Sequence, residues 1–410
     1  MRIVFLSHTA MGGAFVVGSH HLAKAFSRQG HEVTHVSAPV SLPHFALALR
    51  DEFVRTRIRR WFHGGEEIDG VEDVVPLTPL PWNIARRSRA LMRGYSRVML
   101  PAPLRSLASL RLDSADFLII DEPRFAGLAT QGCAAGIIYR ATDLYSLMRG
   151  DPSIVDAERW LCEASSALVA TSQPVARHLE QISGRPVSVM ANGVDFDHFA
   201  GRSLLAAVGC PELPGRPEDR AVYVGAFDNR FGRDAFSCAV GGLPDKCFVL
   251  VGPGSEQVAA DFPRSRVLGL GAVKYASLPG ILRQCAVGLL PLSTQASNSG
   301  RSPMKLYEYL AAGLCVAATS TAELARRGTP AVILAESPPG FSSAVRRAFE
   351  LAGDDDLRAR ALQSARAESW ESKALQLVEM MRACAPRGES GAARSLGRRG
   401  GRIVAREHPS

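Results

Sequence analysis

Twelve short apolar runs, three to six residues long and separated by stretches of helical periodicity, limit what this chain can fold into more than any other feature. Such runs, with no polar alternation, read as strands buried on both faces, and the helical stretches between them supply the crossovers that parallel strands require. In the first half the expected strands are 2–7, 32–37, 116–121, 136–140, 167–171 and 187–190. The expected helices there are 15–28, 125–131, 154–162 and 174–181. Residues 186–215 are rich in Gly and Pro, and the pattern then restarts. Strands are expected at 221–224, 247–251, 266–268, 287–290, 315–318 and 331–334, with helices at 276–283, 303–312, 342–351 and 369–382.

The pattern predicts an α/β chain of two Rossmann-like, doubly wound domains facing across a cleft. The expected division is 1–200, 201–368, a helix at 369–385 set to pack back on the first domain, and a Gly-, Ser- and Arg-rich tail at 386–410 expected to be disordered. Ligands of such sheets bind beyond the carboxyl ends of the strands.

With 46% hydrophobic residues the chain has ample material for two cores, and disordered or collagen-like classes are excluded. Its net charge of +8 is unevenly placed. Residues 82–111 carry seven arginines and no acid, and residues 382–410 carry seven arginines against Glu389 and Glu407, leaving the remainder at −4. Met1-Arg2 runs directly into Ile3-Val4-Phe5-Leu6, too short for the apolar centre of a signal peptide. No apolar run is long enough to span a bilayer. The eight cysteines show no C-x-x-C pair, so reduced core thiols in a cytoplasmic protein are expected, without a zinc site.

Several strand ends carry candidate chemistry. Gly12 and Gly13 follow the first strand, where glycines let a backbone approach a ligand and a helix start can meet an anion; a plain tight turn is the equal alternative. Asp143 closes the segment Tyr139-Arg140-Ala141-Thr142-Asp143 at a strand's carboxyl edge. A carboxylate there suits a general base taking a proton from an acceptor hydroxyl, and equally a helix N-cap. Asp121 and Glu122 form a second-choice acid–base pair.

In the second half, Gly225 and Gly252 sit at strand ends where a nucleotide can approach the sheet edge. Ser302-Pro303-Met304-Lys305 then opens a helix that continues through Glu308 to Gly313. A lysine in a first turn opposes the helix dipole by a few tenths of a kcal/mol, about what an anionic diphosphate docked there would reverse. Glu308, on the same face one turn deeper, can accept both hydroxyls of a ribose. The competing reading is an i,i+3 ion pair worth about 0.2–0.5 kcal/mol.

These motifs, in this order and spacing over residues 1 to about 380, resemble the GT-B glycosyltransferases: the Gly-Gly loop, Asn192-Gly193-Val194-Asp195 near the junction, Val224-Gly225, then Pro-x-Lys-x-x-Glu-x-x-Ala-x-Gly. Within that fold the chain is similar to the membrane-associated glucuronosyltransferase of xanthan-type exopolysaccharide assembly, through Tyr139–Asp143, Gly193-Val194-Asp195 and Ser302-Pro303-Met304-Lys305. The resemblance implies Asp143 as catalytic base and Met304 and Lys305 as donor contacts, with Glu308 where that enzyme has a glutamine near the ribose and the wider GT-B group commonly a glutamate; Gly225, Gly252 and Ser302 complete the expected donor-binding set. It implies a UDP-sugar donor, with glucuronate a candidate sugar, and a lipid-linked glycan acceptor in exopolysaccharide or cell-surface glycan synthesis.

Two departures stand out. Leu292 replaces a donor-contacting tyrosine, and Gly300 stands eight residues before Glu308 where many retaining relatives have a glutamate. With Asp143 present, inversion is the expected outcome. No cofactor is expected, and no cluster of Asp has metal-ligand spacing, so a metal-independent enzyme is expected.

Between residues 45 and 110 aromatic and arginine residues interleave. Arg59, Arg60, Trp61, Trp82, Arg86, Arg87 and Arg93 form a candidate patch for an anionic membrane surface or the acceptor. A solvated helix face is the alternative. On the membrane reading, a cytoplasmic enzyme peripheral on the inner face of the cell membrane is expected. A nucleotide-sugar epimerase of the same fold and a non-catalytic nucleotide-sugar-binding protein are the rival readings. A dehydrogenase lacks its G-x-G-x-x-G, and no nucleic-acid module accompanies the basic segments, so no nucleic-acid partner is expected.

Overall fold

A computed structural model describes residues 1–13, 16–103, 112–129, 134–201 and 213–384. The strands of its first half are β1 (Arg2–Leu6), β2 (Glu32–Val36), β3 (Val40–Ser41), β4 (Glu66–Ile68), β5 (Val71–Val74), β6 (Leu77–Thr78), β7 (Phe117–Ile120), β8 (Gly136–Ala141), β9 (Ala167–Ala170) and β10 (Ser188–Val189). Those of the second half are β11 (Arg220–Val224), β12 (Cys247–Val251), β13 (Val267–Gly269), β14 (Val287–Leu290), β15 (Cys315–Thr319) and β16 (Val332–Ala335).

They make an eight-stranded sheet ordered β10-β9-β8-β7-β1-β2-β5-β4, a six-stranded sheet ordered β13-β12-β11-β14-β15-β16, and a small β3-β6 pair. Every pairing of the two large sheets is parallel except β4 with β5.

Burial on both faces explains why these strands read as unbroken apolar runs. Successive residues of β1 feed opposite sides: Val4 and Leu6 join one core, Ile3 and Phe5 another, and all four are at most 1% exposed. The second sheet has one continuous core shared with its flanking helices. The C-terminal helix Trp370–Cys384 belongs to the first unit's core, where Trp370, Leu377 and Met381 pack with Phe5, Leu22 and Phe26. An ion pair from Arg28 to Glu371 (3.0 Å) fixes its outer edge.

The stretch 45–110, where no strand was expected, holds β4 to β6 and several helices. Strands β4 and β5 form a hairpin through Asp69-Gly70, both at positive φ (52° and 76°), the dipeptide that favours a tight hairpin turn. Their charged residues hid them from a search for apolar runs. Two helices begin three or more residues from where they were expected: Gly18–Arg28 starts three residues late, and Pro338–Leu351 four residues early. Of the helix expected at 125–131, Ala126–Ala129 forms, and 130–131 lie outside the described residues. The basic tail 386–410, together with Arg105 and Arg111 of the basic stretch, lies outside them too. No helix among the described residues is long and apolar enough to cross a membrane.

Candidate functional site

The carboxyl ends of both sheets open into one cleft of about 460 Å³. Asp143 lines it from the first unit, two residues beyond the end of β8. Gly225, Gly252, Ser302, Met304 and Lys305 line it from the second.

Asp143 is not an N-cap. The helix it precedes, Tyr145–Arg149, is capped at Leu144 without any side-chain bond. The residue is half-buried, its carboxyl enclosed by the cleft walls, and that desolvation pushes its pKa up to about 6 although Arg301, Arg230 and Arg149 pull it down. Its neighbours in sequence are locked. Arg140, fully buried in β8, donates to Asp121 (2.7 Å) and to the Asn192 amide oxygen (3.0 Å). Asn192 in turn donates through its backbone N–H to Ser302 Oγ (3.2 Å) and through Nδ2 to the Ser302 carbonyl (2.8 Å). This relay ties the strand carrying the base candidate to the start of the helix on the opposite wall.

Of the second-choice acid–base pair Glu122 does not stand, whereas Asp121 lines the cleft with its carboxyl pKa raised by burial and Oδ1 without a partner among the described residues. Asp121 spends one oxygen on Arg140, and Glu122 is clamped by Arg124 (2.9 Å) and Arg149 (2.6 Å), which hold its carboxyl well below the usual range. A permanently paired anion is a poor proton acceptor.

Helix Met304–Ala311 opens with Pro303 as its N-cap, so its first N–H groups have no side-chain cap, and Pro303, Met304 and Lys305 line the cleft. Lys305 Nζ pairs with Glu308 Oε2 at 2.6 Å. The i,i+3 pair thus exists, yet it differs from a surface pair, because Lys305 lines the cleft while Glu308 is only 3% exposed. Glu308 does not line the cleft as the sequence suggested; it lies one turn below and holds the lysine.

The two donor-side glycines are required by their own approach. Gly252 has φ 135°, and a Cβ there would meet the Gly225 carbonyl at 2.0 Å. Tyr309, from the same helix, accepts from the Val224 N–H (2.8 Å) and so sets where Gly225 sits.

Gly12 and Gly13 are a correction. They do not line the cleft: Gly12 faces Ile68 and Arg60, and a Cβ on Gly13 would meet the Phe53 ring at 2.7 Å. The cleft is reached instead by Val16 to Ser19 at the start of helix Gly18–Arg28. Gly18 itself has Trp370, Arg140 and Asn192 within 3.1 Å of where a Cβ would stand. Its place four residues into a segment expected to be helical concealed it.

The proposed surface patch also divides. Arg60 is buried and pairs with Asp73 and Glu66, because β5 carries an aspartate inward that needs a cation. Trp61 is 8% exposed and donates to the Leu100 carbonyl (2.9 Å), and Trp82 donates to Asp151 (3.0 Å). Arg59, Arg86, Arg87 and Arg93 remain at the surface, Arg86 beside Asp151 (3.5 Å) and Arg93 over the Trp160 ring (4.6 Å). The same segment exposes Leu49 (82%), Leu42 (60%) and Phe62 (57%).

Arg301, Tyr275 and His8 line the cleft and were not singled out from sequence, since none belongs to a motif. Leu292 lines it as well. At Gly300 a Cβ would already stand 2.8 Å from the Leu144 side chain, so this backbone has no room for a glutamate. Among the described residues no group of three or more His, Cys, Asp or Glu side chains could hold a metal ion.

Comparison with known proteins agrees with this geometry. Residues 12–198 match the family described as Glycosyltransferase Family 4, and residues 218–350 match Glycosyl transferases group 1, which together take in most of the chain. The protein named "Putative teichuronic acid biosynthesis glycosyltransferase TuaH" of Bacillus subtilis (strain 168) is 22% identical over 236 residues, 55% of this chain and 59% of its own length. The chain therefore spans about three-fifths of that relative. Among solved structures, Anabaena Alr3699/HepE in complex with UDP and glucose superposes with a TM-score of 0.62 at 14% identity, covering 93% of this chain and 99% of that one. An E. coli trehalose-6-phosphate structure bound with UDP-2-fluoro glucose gives 0.61 at 13% identity, with coverage of 93% and 99%.

Proposed function

We propose that this chain, which has the GT-B fold and matches a glycosyltransferase family model in each half, moves a sugar from a UDP-sugar to a lipid-linked glycan in bacterial exopolysaccharide or cell-surface glycan synthesis. The observation that carries this reading is the position of Asp143. It is an enclosed carboxylate on the first domain's side of the cleft, facing the wall where Lys305 and the start of helix Met304–Ala311 can meet a diphosphate. The teichuronic acid assignment of TuaH and the UDP and glucose held by HepE support the substrate classes. Glucuronate is the candidate sugar by resemblance alone.

In the proposed step the acceptor hydroxyl gives its proton to Asp143 while its oxygen bonds to the anomeric carbon. The bond from that carbon to the diphosphate breaks, and its electron pair stays on the leaving oxygen. Configuration inverts. A base with a pKa of about 6 is largely ionised at neutral pH and still takes a proton more readily than an ordinary aspartate. Lys305 and the uncapped N–H groups answer the charge growing on the leaving group, a contribution realised in the transition state. Neither cofactor nor divalent metal has a role in this scheme, so EDTA should leave the rate unchanged.

The experiment is transfer and UDP binding measured side by side for Asp143→Asn. Transfer is expected to fall by about 10²–10⁴-fold with UDP affinity unchanged. Equal loss of both would remove Asp143 from the role of base. UDP-sugar turnover without any acceptor would favour an epimerase instead.

We also infer that the protein is peripheral on the cytoplasmic face of the membrane, through the surface arginines 59, 86, 87 and 93 and the exposed apolar side chains beside them. Cosedimentation with anionic liposomes that weakens with salt is the expected result.

A further inference from the structure

Behind Asp143, on the first domain's side, cationic charge exceeds what the described residues neutralise. Glu122 is the one carboxylate shared by Arg124 and Arg149. A third guanidinium, Arg57 of helix Glu52–His63, reaches the same row of strand ends, bonding just beyond β2 while the Glu122 N–H bonds the Leu6 carbonyl at the end of β1; burial first, and then Arg124, lower its pKa to about 10. Arg57 donates to the Ala38 carbonyl and lies over the Phe53 ring at 5.7 Å. Asp73, the carboxylate it feels, is taken by His35 and Arg60. His8, which lines the cleft, senses Glu122, Arg149 and Arg124 together.

Three nitrogens of this group are buried with no hydrogen-bond partner among the described residues: Arg57 Nε, Arg124 Nε and His8 Nδ1. Buried polar atoms in folded chains are nearly always paired, and an unmade bond at a charged group is among the costliest. Crowding like charges into a shielded place is unfavourable unless an anion completes it. The arrangement has the chemistry of a phosphate site: guanidinium forks and an imidazole around one incomplete charge balance.

We propose that Arg57, Arg124 and His8 form a second anion site, on the acceptor side of the cleft, that takes a phosphate or diphosphate group. Its assignment to the acceptor rests on the reading of Asp143 as base. Arg149 joins the two places, since its helix begins two residues after Asp143 and its guanidinium ends on Glu122. The donor diphosphate is expected on the opposite wall, at Lys305. A free phosphate and the diphosphate of a lipid-linked glycan present the same oxygens to the site.

The test is isothermal titration of the full chain, saturated with UDP, against inorganic pyrophosphate and separately against geranyl diphosphate. One further pyrophosphate site is expected. Arg57→Gln and Arg124→Gln should each weaken it by about tenfold while leaving UDP affinity unchanged. Tighter binding of geranyl diphosphate than of pyrophosphate assigns the anion to a lipid-linked acceptor, and equal binding assigns it to free phosphate. No uptake by the UDP-saturated protein, or uptake that both substitutions leave intact, overturns the site. Failure of UDP to bind at all would sink the donor reading alone, because the pyrophosphate titration still reports on the arginines. Arg57 also holds the Ala38 carbonyl, so Arg124→Gln is the safer variant; Arg149 still holds Glu122 when it is made.

Discussion

At the scale of single residues, Asp143 couples activity to stability with opposite signs. As a base it must be ionised, so kcat/KM should rise about tenfold per pH unit below pH 6 and level off above it. Its folded pKa lies above the ordinary aspartate value, so the folded chain holds that proton more tightly than the unfolded one. Ionisation therefore costs stability as pH rises from about 4 to about 6, and the cost persists above that window. Asp143→Asn should accordingly gain of order 1–3 kcal/mol at pH 8, a gain that vanishes near pH 4, read from urea melts at both values. Lys305 and Glu308 give a second prediction. Lys305→Ala leaves a buried carboxylate unpaired and should cost about 1–3 kcal/mol while weakening UDP at least tenfold. Adding Glu308→Gln should restore the stability but not the UDP affinity, and recovery of both would mean the lysine serves only its partner.

At the scale of elements, helix Met304–Ala311 is positioned by one bond that no pattern in the sequence announces. Tyr309 OH accepts from the Val224 N–H inside the core. Tyr309→Phe strands that donor away from water and should cost about 1–3 kcal/mol in thermal or denaturant unfolding. The helix itself was legible, since Pro303 and Gly313 bracket it and its apolar face is periodic. The β4–β5 hairpin was not. Its strands carry Glu66, Glu67, Glu72 and Asp73, and the pairing of Asp73 with His35 and Arg60 makes a charged residue acceptable in a fully buried position of the sheet. A run of acids bounded by Asp-Gly was a turn signal that the apolar criterion passed over.

At the scale of the whole molecule, three histidines are held neutral by burial. His8 is lowered to about 4, His20 to about 3, and His21, stacked on Trp370 at 5.3 Å, falls well below its usual value. Each binds its proton more readily in the unfolded chain, so stability is full above about pH 6.5 and is lost as pH falls toward 4. The slope is at most about 1.4 kcal/mol per pH unit for each histidine. This outweighs the opposite contribution of Asp143, and the melting temperature should drop steadily from pH 7 to pH 5. A flat profile would mean that these rings are hydrated. Bonds between the domains run from Asn192 to Ser302, from Ser172 to the Gly300 carbonyl, and from the Gln173 N–H to Glu323. The cleft's width is set by these contacts, and its relay to Asp121 passes through Arg140.

Periodicity, strand-end glycines and the Pro-x-Lys-x-x-Glu helix determined the doubly wound architecture and put Asp143 and Lys305 at strand and helix ends, because hydrophobic period and turn chemistry are local properties of a chain. Only the tertiary structure decided which charges are already taken. It turned Arg60 and Trp61 inward, closed Glu122 between two arginines, moved the cleft-lining loop from Gly12-Gly13 to Val16–Ser19, and left Arg57, Arg124 and His8 with nitrogens unanswered. The physical reason is that a side chain's burial and partner come from segments distant in sequence. An arginine that pairs and one that waits for a ligand look the same until those segments meet.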